Sequence, residues 1–197
     1  MWNKGLSYRE RHGLRNVGIN KITNTKTGDT LNLDKIVSKP SLGLIFFPAF
    51  DWKISETHPE RQERLLYTRD QIVEEGLLDI PNIREYNPIV ADWDTIERVH
   101  VGAPDLESWV TEAHRVSAGG AIAAADAVMR GEVDRAFALV RPPGHHAMAM
   151  VHGIRGFCTI NIEAVMIQHM RQTYGIKRVA VVDTDVHHGD GSQDVFY

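Results

Sequence analysis

The sequence predicts an α/β fold in which a mostly parallel sheet is flanked by helices. Short, continuous apolar runs alternate along the chain with longer segments whose apolar residues recur at helical spacing. Glycines stand where several of the helical segments end. Apolar runs without polar alternation are typical of strands that are buried on both faces, as in a parallel sheet.

The first forty residues are polar and rich in turn residues, so we expect an appendage over residues 1–40 and a main domain over residues 41–197. The stretch Val17–Leu33 predicts a hairpin that turns through Thr27–Asp29.

The first half of the main domain contains two strands and two helices. The predicted elements are a strand over Gly43–Phe47, a helix over Glu60–Glu75, a strand over Arg84–Pro88 and a helix over Asp92–Val99. The first strand is a continuous apolar run, and the first helix has an apolar stripe and stops at Gly76. Asp92 is a good N-cap for the second helix.

The second half repeats this alternation. It is predicted to contain a helix over Ser117–Arg130, a strand over Ala136–Val140, a helix over Asn161–Tyr174 and a strand over Arg178–Val182. The first of these helices is rich in alanine and glycine, which allows it to lie close to a sheet. Gly131 and Gly175 end the two helices.

Composition excludes several classes of protein. The 197 residues suffice for one domain with a sizeable core. A net charge of −4 gives no electrostatic basis for nucleic-acid binding. The single cysteine, Cys158, has no partner for an internal disulfide. No apolar run has the length of a signal peptide or a membrane span, so we expect a cytoplasmic protein without membrane or nucleic-acid partners.

Acidic residues and histidines cluster behind the last predicted strand. Asp185 and His187 lie two apart, so their side chains point the same way as the chain leaves the strand. A carboxylate and an imidazole can serve as two of the three protein ligands of a catalytic zinc. Asp183 lies two residues before Asp185 and so points to the same side, and Asp190 follows a glycine. One Asp-X-His is more often a polar loop, but four such groups after an apolar strand favour a metal site.

A histidine pair follows another predicted strand. His145 and His146 come directly after two prolines and a glycine, which make the loop rigid. Adjacent imidazoles suit acid–base chemistry because histidine titrates near neutrality. Alone, such a pair is more often a surface turn. Sites of open α/β sheets lie at the carboxyl ends of strands, so the position of both histidine segments favours catalysis.

Three segments carry a resemblance to a known family. They are Arg141–Ala147 (RPPGHHA), Gly156–Cys158 with Asn161, and Asp183–Gly191 (DTDVHHGDG). In this order and spacing they resemble the signature series of histone deacetylases, acetoin-utilisation deacetylases and acetylpolyamine amidohydrolases. Weaker matches occur at His58–Leu65, Arg98–His100 and Ala118–Ala121. The resemblance covers about Gly43–Tyr197 and implies an arginase/deacetylase-like fold, of which residues 41–197 form the amino-terminal part.

The resemblance implies a zinc-dependent hydrolase. Asp185 and His187 match residues that bind zinc (Zn2+), together with a second aspartate from a later strand of the family fold. In relatives, the backbone around Asp183, Asp185 and His187 often holds a structural potassium ion (K+).

The resemblance also implies catalytic roles. His145 and His146 match the tandem histidines that face the zinc-bound water, paired with Asp183 and Asp190 respectively. His146 is expected to be the base that takes a proton as this water attacks an acetyl amide. The implied substrates are acetylated lysine or small acetylated amines, and the products are acetate and a free amine.

Further positions receive narrower expectations. Gly156 and Phe157 match one wall of the tunnel that admits the acyl-lysine chain. Cys158 matches a cysteine beside the site, and it is at least as well explained as a small buried hydrophobe. Arg64 matches an arginine that lines the internal channel behind the active site in the family, and a surface arginine on the predicted helix is an equally good interpretation. Six histidines are expected to be structural or exposed: His12, His58, His100, His114, His152 and His169.

The sequence departs from the family pattern. The second zinc aspartate and the oxyanion-binding tyrosine of the family lie beyond the region of Asp190, after which seven residues follow here. We therefore expect a truncated domain, incomplete at the C-terminal side, that does not catalyse alone and that self-associates through an exposed sheet edge. Asp105 is a formal candidate for a substrate-orienting aspartate in a shortened rim loop, and Gln62 replaces a common proline.

Two alternatives remain open from the sequence. The chain is either a deacetylase or a non-catalytic remnant that binds a partner through its sheet edge. A third interpretation is an arginase-like protein with two manganese ions, against which His145–His146 and Gly156–Cys158 argue.

Overall fold

The computed structural model describes residues 21–23, 30–32, 42–101 and 106–197. Its strands are β1 (Lys21–Thr23), β2 (Thr30–Asn32), β3 (Leu42–Phe47), β4 (Ile83–Tyr86) and β5 (Arg135–Val140). Its helices are α1 (Gln62–Glu74), α2 (Trp93–Glu97), α3 (Leu106–Trp109), α4 (Glu112–Met129), α5 (Ile162–Tyr174) and α6 (Asp190–Phe196), with a 3₁₀ turn at Leu77–Asp79. In these ranges, none of the helices combines the length and apolarity that crossing a membrane requires.

A parallel sheet with the order β4-β3-β5 forms the centre of the main domain. The central strand β3 pairs with both neighbours, as in Gly43 opposite Arg84 on one side and Ala136 on the other. This confirms the predicted parallel α/β fold. β4 ends at Tyr86, earlier than the predicted Pro88, a residue that has no N–H to contribute to a ladder.

The described residues of the amino-terminal region form a short antiparallel pair. β1 and β2 pair within the predicted hairpin, with Lys21 opposite Asn32. The predicted turn Thr27–Asp29 and most of the predicted appendage lie outside the described residues.

Helix α4 lies directly on the sheet. A Cβ on Gly120 would come within 2.7 Å of Val140 and 3.4 Å of Ile45, so the absence of a side chain permits this approach. The helix begins at Glu112, earlier than the predicted Ser117, because Thr111 caps it in a capping box closed by His114. Apolar residues of α4 and α5 then form the main core together with residues of α2, of α3 and of the loops before α4 and α5.

Helix α5 positions the loops around the histidine pair. Asn161 caps it by accepting the N–H of Ala164 at 2.9 Å. Gly175 ends it in the left-handed conformation, as predicted. The Asn161 amide also donates to Ser192 Oγ at 3.0 Å, so this one residue links the start of α5 to α6.

The predicted strand Arg178–Val182 is wrong for this structure. Residues 175–184 have no regular secondary structure, and the Val182 side chain is 84% exposed. A strand requires hydrogen bonds to a neighbour, and none of the described strands pairs with this segment. Its apolar run therefore faces solvent.

Candidate functional site

A buried arginine anchors the loop that carries the histidine pair. The Arg141 side chain is fully buried, and its guanidinium donates to Glu60 Oε1 at 2.7 Å. It also donates to the carbonyls of Pro48, Ala49, Trp52 and Glu60 at 2.7–3.3 Å. The loop therefore starts from a fixed point at the carboxyl ends of β3 and β5.

The two histidines each contact one aspartate. His145 Nδ1 lies 2.8 Å from Asp183 Oδ2, and His146 Nδ1 lies 2.7 Å from Asp190 Oδ1. This is the pairing that the family resemblance implies. A carboxylate on Nδ1 fixes that nitrogen as the N–H donor, which leaves Nε2 as the acceptor on each ring. The ring centroids are 4.1 Å apart.

The aspartates are held in their ionised form. Hydrogen bonds from the backbone N–H of Asp185 and from His145 lower the pKa of Asp183. The hydrogen bond from His146, with help from Arg155, lowers the pKa of Asp190 to about 2. Both carboxylates are therefore anions at neutral pH, ready to stabilise a protonated imidazole.

Asp185 and His187 form a third pair beside the histidines. Asp185 Oδ1 lies 3.0 Å from His187 Nδ1, and the His187 ring packs near His146 with centroids 6.1 Å apart. Hydrogen bonds from the backbone N–H and then the side chain of His187 lower the pKa of Asp185.

The side chains of Asp185 and His187 could supply part of the ligand set of a zinc ion. A carboxylate and an imidazole are zinc ligands, and two ligands at about 2.0–2.1 Å from one metal lie only slightly further apart than 3.0 Å. Across residues 42–101 and 106–197, however, no group of three His, Cys, Asp or Glu side chains could hold a metal ion. The described chain thus offers two ligands of a site that needs at least one more.

A tight turn forms one wall beside His146. Gly156 and Phe157 both have positive φ, 49° and 77°, and the backbones of Arg155 and Cys158 close the turn with two 2.8 Å hydrogen bonds. A Cβ on Gly156 would lie 2.3 Å from His146 Cδ2, so only glycine fits against this ring.

Phe157 is partly exposed next to the site. Its ring packs edge-on against His58 at 4.5 Å between centroids. His58 was expected to be structural or exposed; it begins the weaker match His58–Leu65, and that match did not predict its contact with the predicted tunnel wall.

Two other residues near the site were missed by sequence reasoning. Arg155 pairs with Asp190 Oδ2. Glu163 lines a cavity of about 460 Å³ together with His145, Asp183 and Asp185. Burial raises the pKa of Glu163, and its Oε2 has no hydrogen-bond partner among the described residues.

The remaining expected residues fall into three groups. Cys158 is fully buried, and burial raises the pKa of its thiol to about 12, as expected of a small core residue. Arg64 is 54% exposed and pairs with Glu60 at 3.0 Å, so it lies on the surface end of the Arg141 network. Asp105 and His12 lie outside the described residues.

The other histidines are structural or exposed. His100 and His114 are buried, His152 is exposed, and His169 pairs with Asp126 at 2.8 Å. His100 Nδ1 lies 2.8 Å from the Met148 carbonyl, and its Nε2 accepts the backbone N–H of the α5 cap.

Known proteins are similar to this chain in sequence and in fold. Residues 105–197 match the family model of the histone deacetylase domain. A "Probable deacetylase" of Archaeoglobus fulgidus is 39% identical over 161 residues, which cover 73% of this chain and 44% of that protein. "Polyamine deacetylase HDAC10" of Mus musculus is 32% identical over 168 residues, covering 74% of this chain and 25% of that protein.

A solved structure agrees with these relatives. The crystal structure of the HDA15 HD domain superposes with a TM-score of 0.66 at 28% identity, covering 80% of this chain and 51% of that chain. The matched part of this chain thus spans less than half the length of the two curated relatives. The fold is the arginase/deacetylase-like α/β fold, and the chain belongs to the histone deacetylase family.

Proposed function

We propose that these residues form the histidine-bearing half of a zinc-dependent deacetylase centre, which hydrolyses acetyl groups on lysine or on small amines. The observation that carries the proposal is the double pairing of His145 with Asp183 and of His146 with Asp190. Two adjacent imidazoles with oriented Nε2 atoms, next to Asp185 and His187, are the groups that metal-assisted amide hydrolysis requires.

The metal has two proposed ligands in the described chain. Asp185 and His187 would hold zinc, with the remaining ligand supplied from outside the described residues. When bound, zinc polarises an acyl carbonyl and acidifies water. The same segment, through its backbone from Asp183 to His187, is the proposed site of a structural potassium ion.

The histidines divide the proton transfers. Asp190 fixes the Nδ1–H of His146, so Nε2 accepts the proton of the attacking water. The Asp190 anion stabilises the imidazolium that results. The protonated His146 then gives this proton to the departing amine, and His145, oriented by Asp183, supplies a second acceptor beside the reacting groups. Proton transfer by positioned side chains of this kind contributes on the order of 10²–10⁴-fold in rate.

The substrate class follows from the wall of the site and from the relatives. Gly156 lies against the His146 ring, and the partly exposed Phe157 ring follows it and packs against His58, so we assign this turn to one side of the substrate approach. An aliphatic amine chain, as in acetyl-lysine or an acetylated polyamine, fits such a wall. One relative is named as a polyamine deacetylase.

Acetate release by the natural gene product that contains these residues tests the proposal. The zinc-supplemented protein is assayed on an acetyl-lysine peptide and on an acetylated polyamine. We expect activity that a chelator removes and that His146→Ala reduces at least about 100-fold. His169→Ala is the matched control, because the His169 ring pairs with Asp126 of α4 and with none of the proposed site residues. A folded protein with no activity on either substrate, or full activity in His146→Ala, would refute the proposal.

A second candidate function is binding of a partner protein through exposed apolar side chains. Val182 is 84% exposed and Val186 is 91% exposed, and Phe137 on β5 is 50% exposed. Such a surface favours pairing with another polypeptide, including a second copy of this chain. Sedimentation velocity tests whether the partner is a second copy of this chain. A dimer that is lost in Val182→Asp would support self-association, and a monomer at all concentrations would refute it.

A further inference from the structure

Asp190 joins two side chains, not one. Its Oδ1 lies 2.7 Å from His146 Nδ1, and its Oδ2 forms an ion pair with the Arg155 guanidinium. His146, Asp190 and Arg155 therefore form a continuous chain of charge-assisted hydrogen bonds. The Arg155 side chain is 56% exposed, whereas the Asp190 and His146 side chains are 28% and 16% exposed.

The other histidine–aspartate pair has a different arrangement. Asp183 Oδ2 contacts His145, and Asp183 Oδ1 accepts the backbone N–H of Asp185 at 2.9 Å. Each aspartate thus uses one oxygen for its histidine and the other for a donor that fixes the carboxylate plane. For Asp183 this donor is backbone, and for Asp190 it is a side chain.

Local structure fixes Arg155 relative to His146. Arg155 begins the tight turn that Cys158 closes by two backbone hydrogen bonds. Inside this turn, Gly156 lies directly against the His146 ring. The segment that contacts the imidazole therefore also carries the guanidinium that holds its carboxylate.

We propose that Arg155 is a positioning residue of the active site: it holds the Asp190 carboxylate in the plane that directs Oδ1 at His146 Nδ1. Without the Arg155 guanidinium, the Asp190 carboxylate is free to rotate about its side-chain bonds. The His146 ring is then no longer held in one tautomer and one orientation. The inference rests on the proposed function for its effect on rate, but not for its effect on the ring.

The rate test uses two substitutions and one control. In Arg155→Met we expect kcat to fall on the order of 10-fold with KM unchanged, because such supporting contacts orient the base and leave substrate binding intact. Arg155→Lys should recover part of the rate. Arg98→Met is the matched control, because Arg98 is 51% exposed and pairs with Asp94 at 2.9 Å away from the site. Its kcat should equal that of the unaltered protein.

A double-mutant cycle separates positioning from general structure. In an Asp190→Asn background, Arg155→Met should have no further effect on kcat, since the carboxylate that Arg155 holds is gone. Additive losses, or an unchanged kcat in Arg155→Met, would overturn the proposal. So would an Arg155→Lys enzyme that is no better than Arg155→Met.

A spectroscopic readout keeps the inference independent of activity. In ¹⁵N-labelled protein, the His146 ring should show one neutral tautomer with a protected Nδ1–H, lost in Arg155→Met and kept in Arg98→Met. This pattern without acetate release from any variant would refute the proposed function and leave the positioning role of Arg155 standing. An identical His146 signal in Arg155→Met would overturn the positioning role itself.

Discussion

The buried ion pair between Arg141 and Glu60 allows a quantitative prediction. Arg141 is fully buried, and Glu60 is 6% exposed. Four of the five hydrogen bonds of the guanidinium go to neutral carbonyls, and the carboxylate of Glu60 supplies the charge that balances it. Removing that charge leaves a cation in a site of low dielectric.

Glu60→Gln removes the charge and nearly preserves the shape. Breaking one partner of a buried pair costs about 3–5 kcal/mol, and the Gln oxygen can still accept one bond, so we expect a loss near the lower end, about 3 kcal/mol. Glu60 also pairs with Arg64, which is 54% exposed. Arg64→Met removes only that exposed pair and should cost no more than about 1 kcal/mol.

Urea denaturation measures both variants against the unaltered protein. The reasoning holds if Glu60→Gln loses several times more stability than Arg64→Met. It is refuted if the two losses are equal, or if Glu60→Gln loses less than about 1 kcal/mol. Because Arg141 anchors the histidine loop, Glu60→Gln should also lower catalytic activity at a temperature where it remains folded.

Three further predictions concern single residues. Burial lowers the pKa values of His100 and His114 to about 4 from 6.5, so the unfolded chain binds more protons than the folded chain between these values. Stability, followed by urea denaturation, should therefore fall as pH drops from about 6.5 to 4, by up to about 3 kcal/mol for each histidine, and a flat profile would contradict this. Cys158, whose pKa burial raises to about 12, should resist alkylation at pH 8 in the folded protein and react in urea; rapid native labelling would show that it is accessible. Gly156→Ala should reduce activity on the order of 100-fold, because the new Cβ displaces the His146 ring. Gly175→Ala is the control: Gly175 also has a positive φ, but the space around its Cβ is open, so this variant should keep the rate. Equal rates for the two variants would contradict the packing argument.

Much of the fold could be predicted from local patterns. The strands β3 and β5 and the ends of α4 and α5 follow from continuous apolar runs and glycine stops. The start of α4 was placed late, because the capping box at Thr111 was not recognised. The segment Arg178–Val182 has the composition of a strand, but composition cannot supply the neighbouring strand whose hydrogen bonds would make it one.

The candidate site was predictable where its residues are close in sequence. The histidine and aspartate segments each carry a local motif, and the structure brings them together. Arg155 contacts Asp190 across 35 positions, and Arg141 contacts Glu60 across 81. Such pairs leave no periodic or motif signal in a single sequence, so the side chains that support the site became visible only in the fold.

Anomalous diffraction at the zinc edge tests the central claim most directly. Crystals of the natural gene product grown with zinc should show one strong peak about 2.0–2.2 Å from both Asp185 Oδ and His187 Nδ1, on the side of the site that the Nε2 atoms of His145 and His146 face. A peak bound elsewhere, or none at these two residues in a well-ordered crystal, would contradict the assignment of this cluster as the metal centre of a deacetylase.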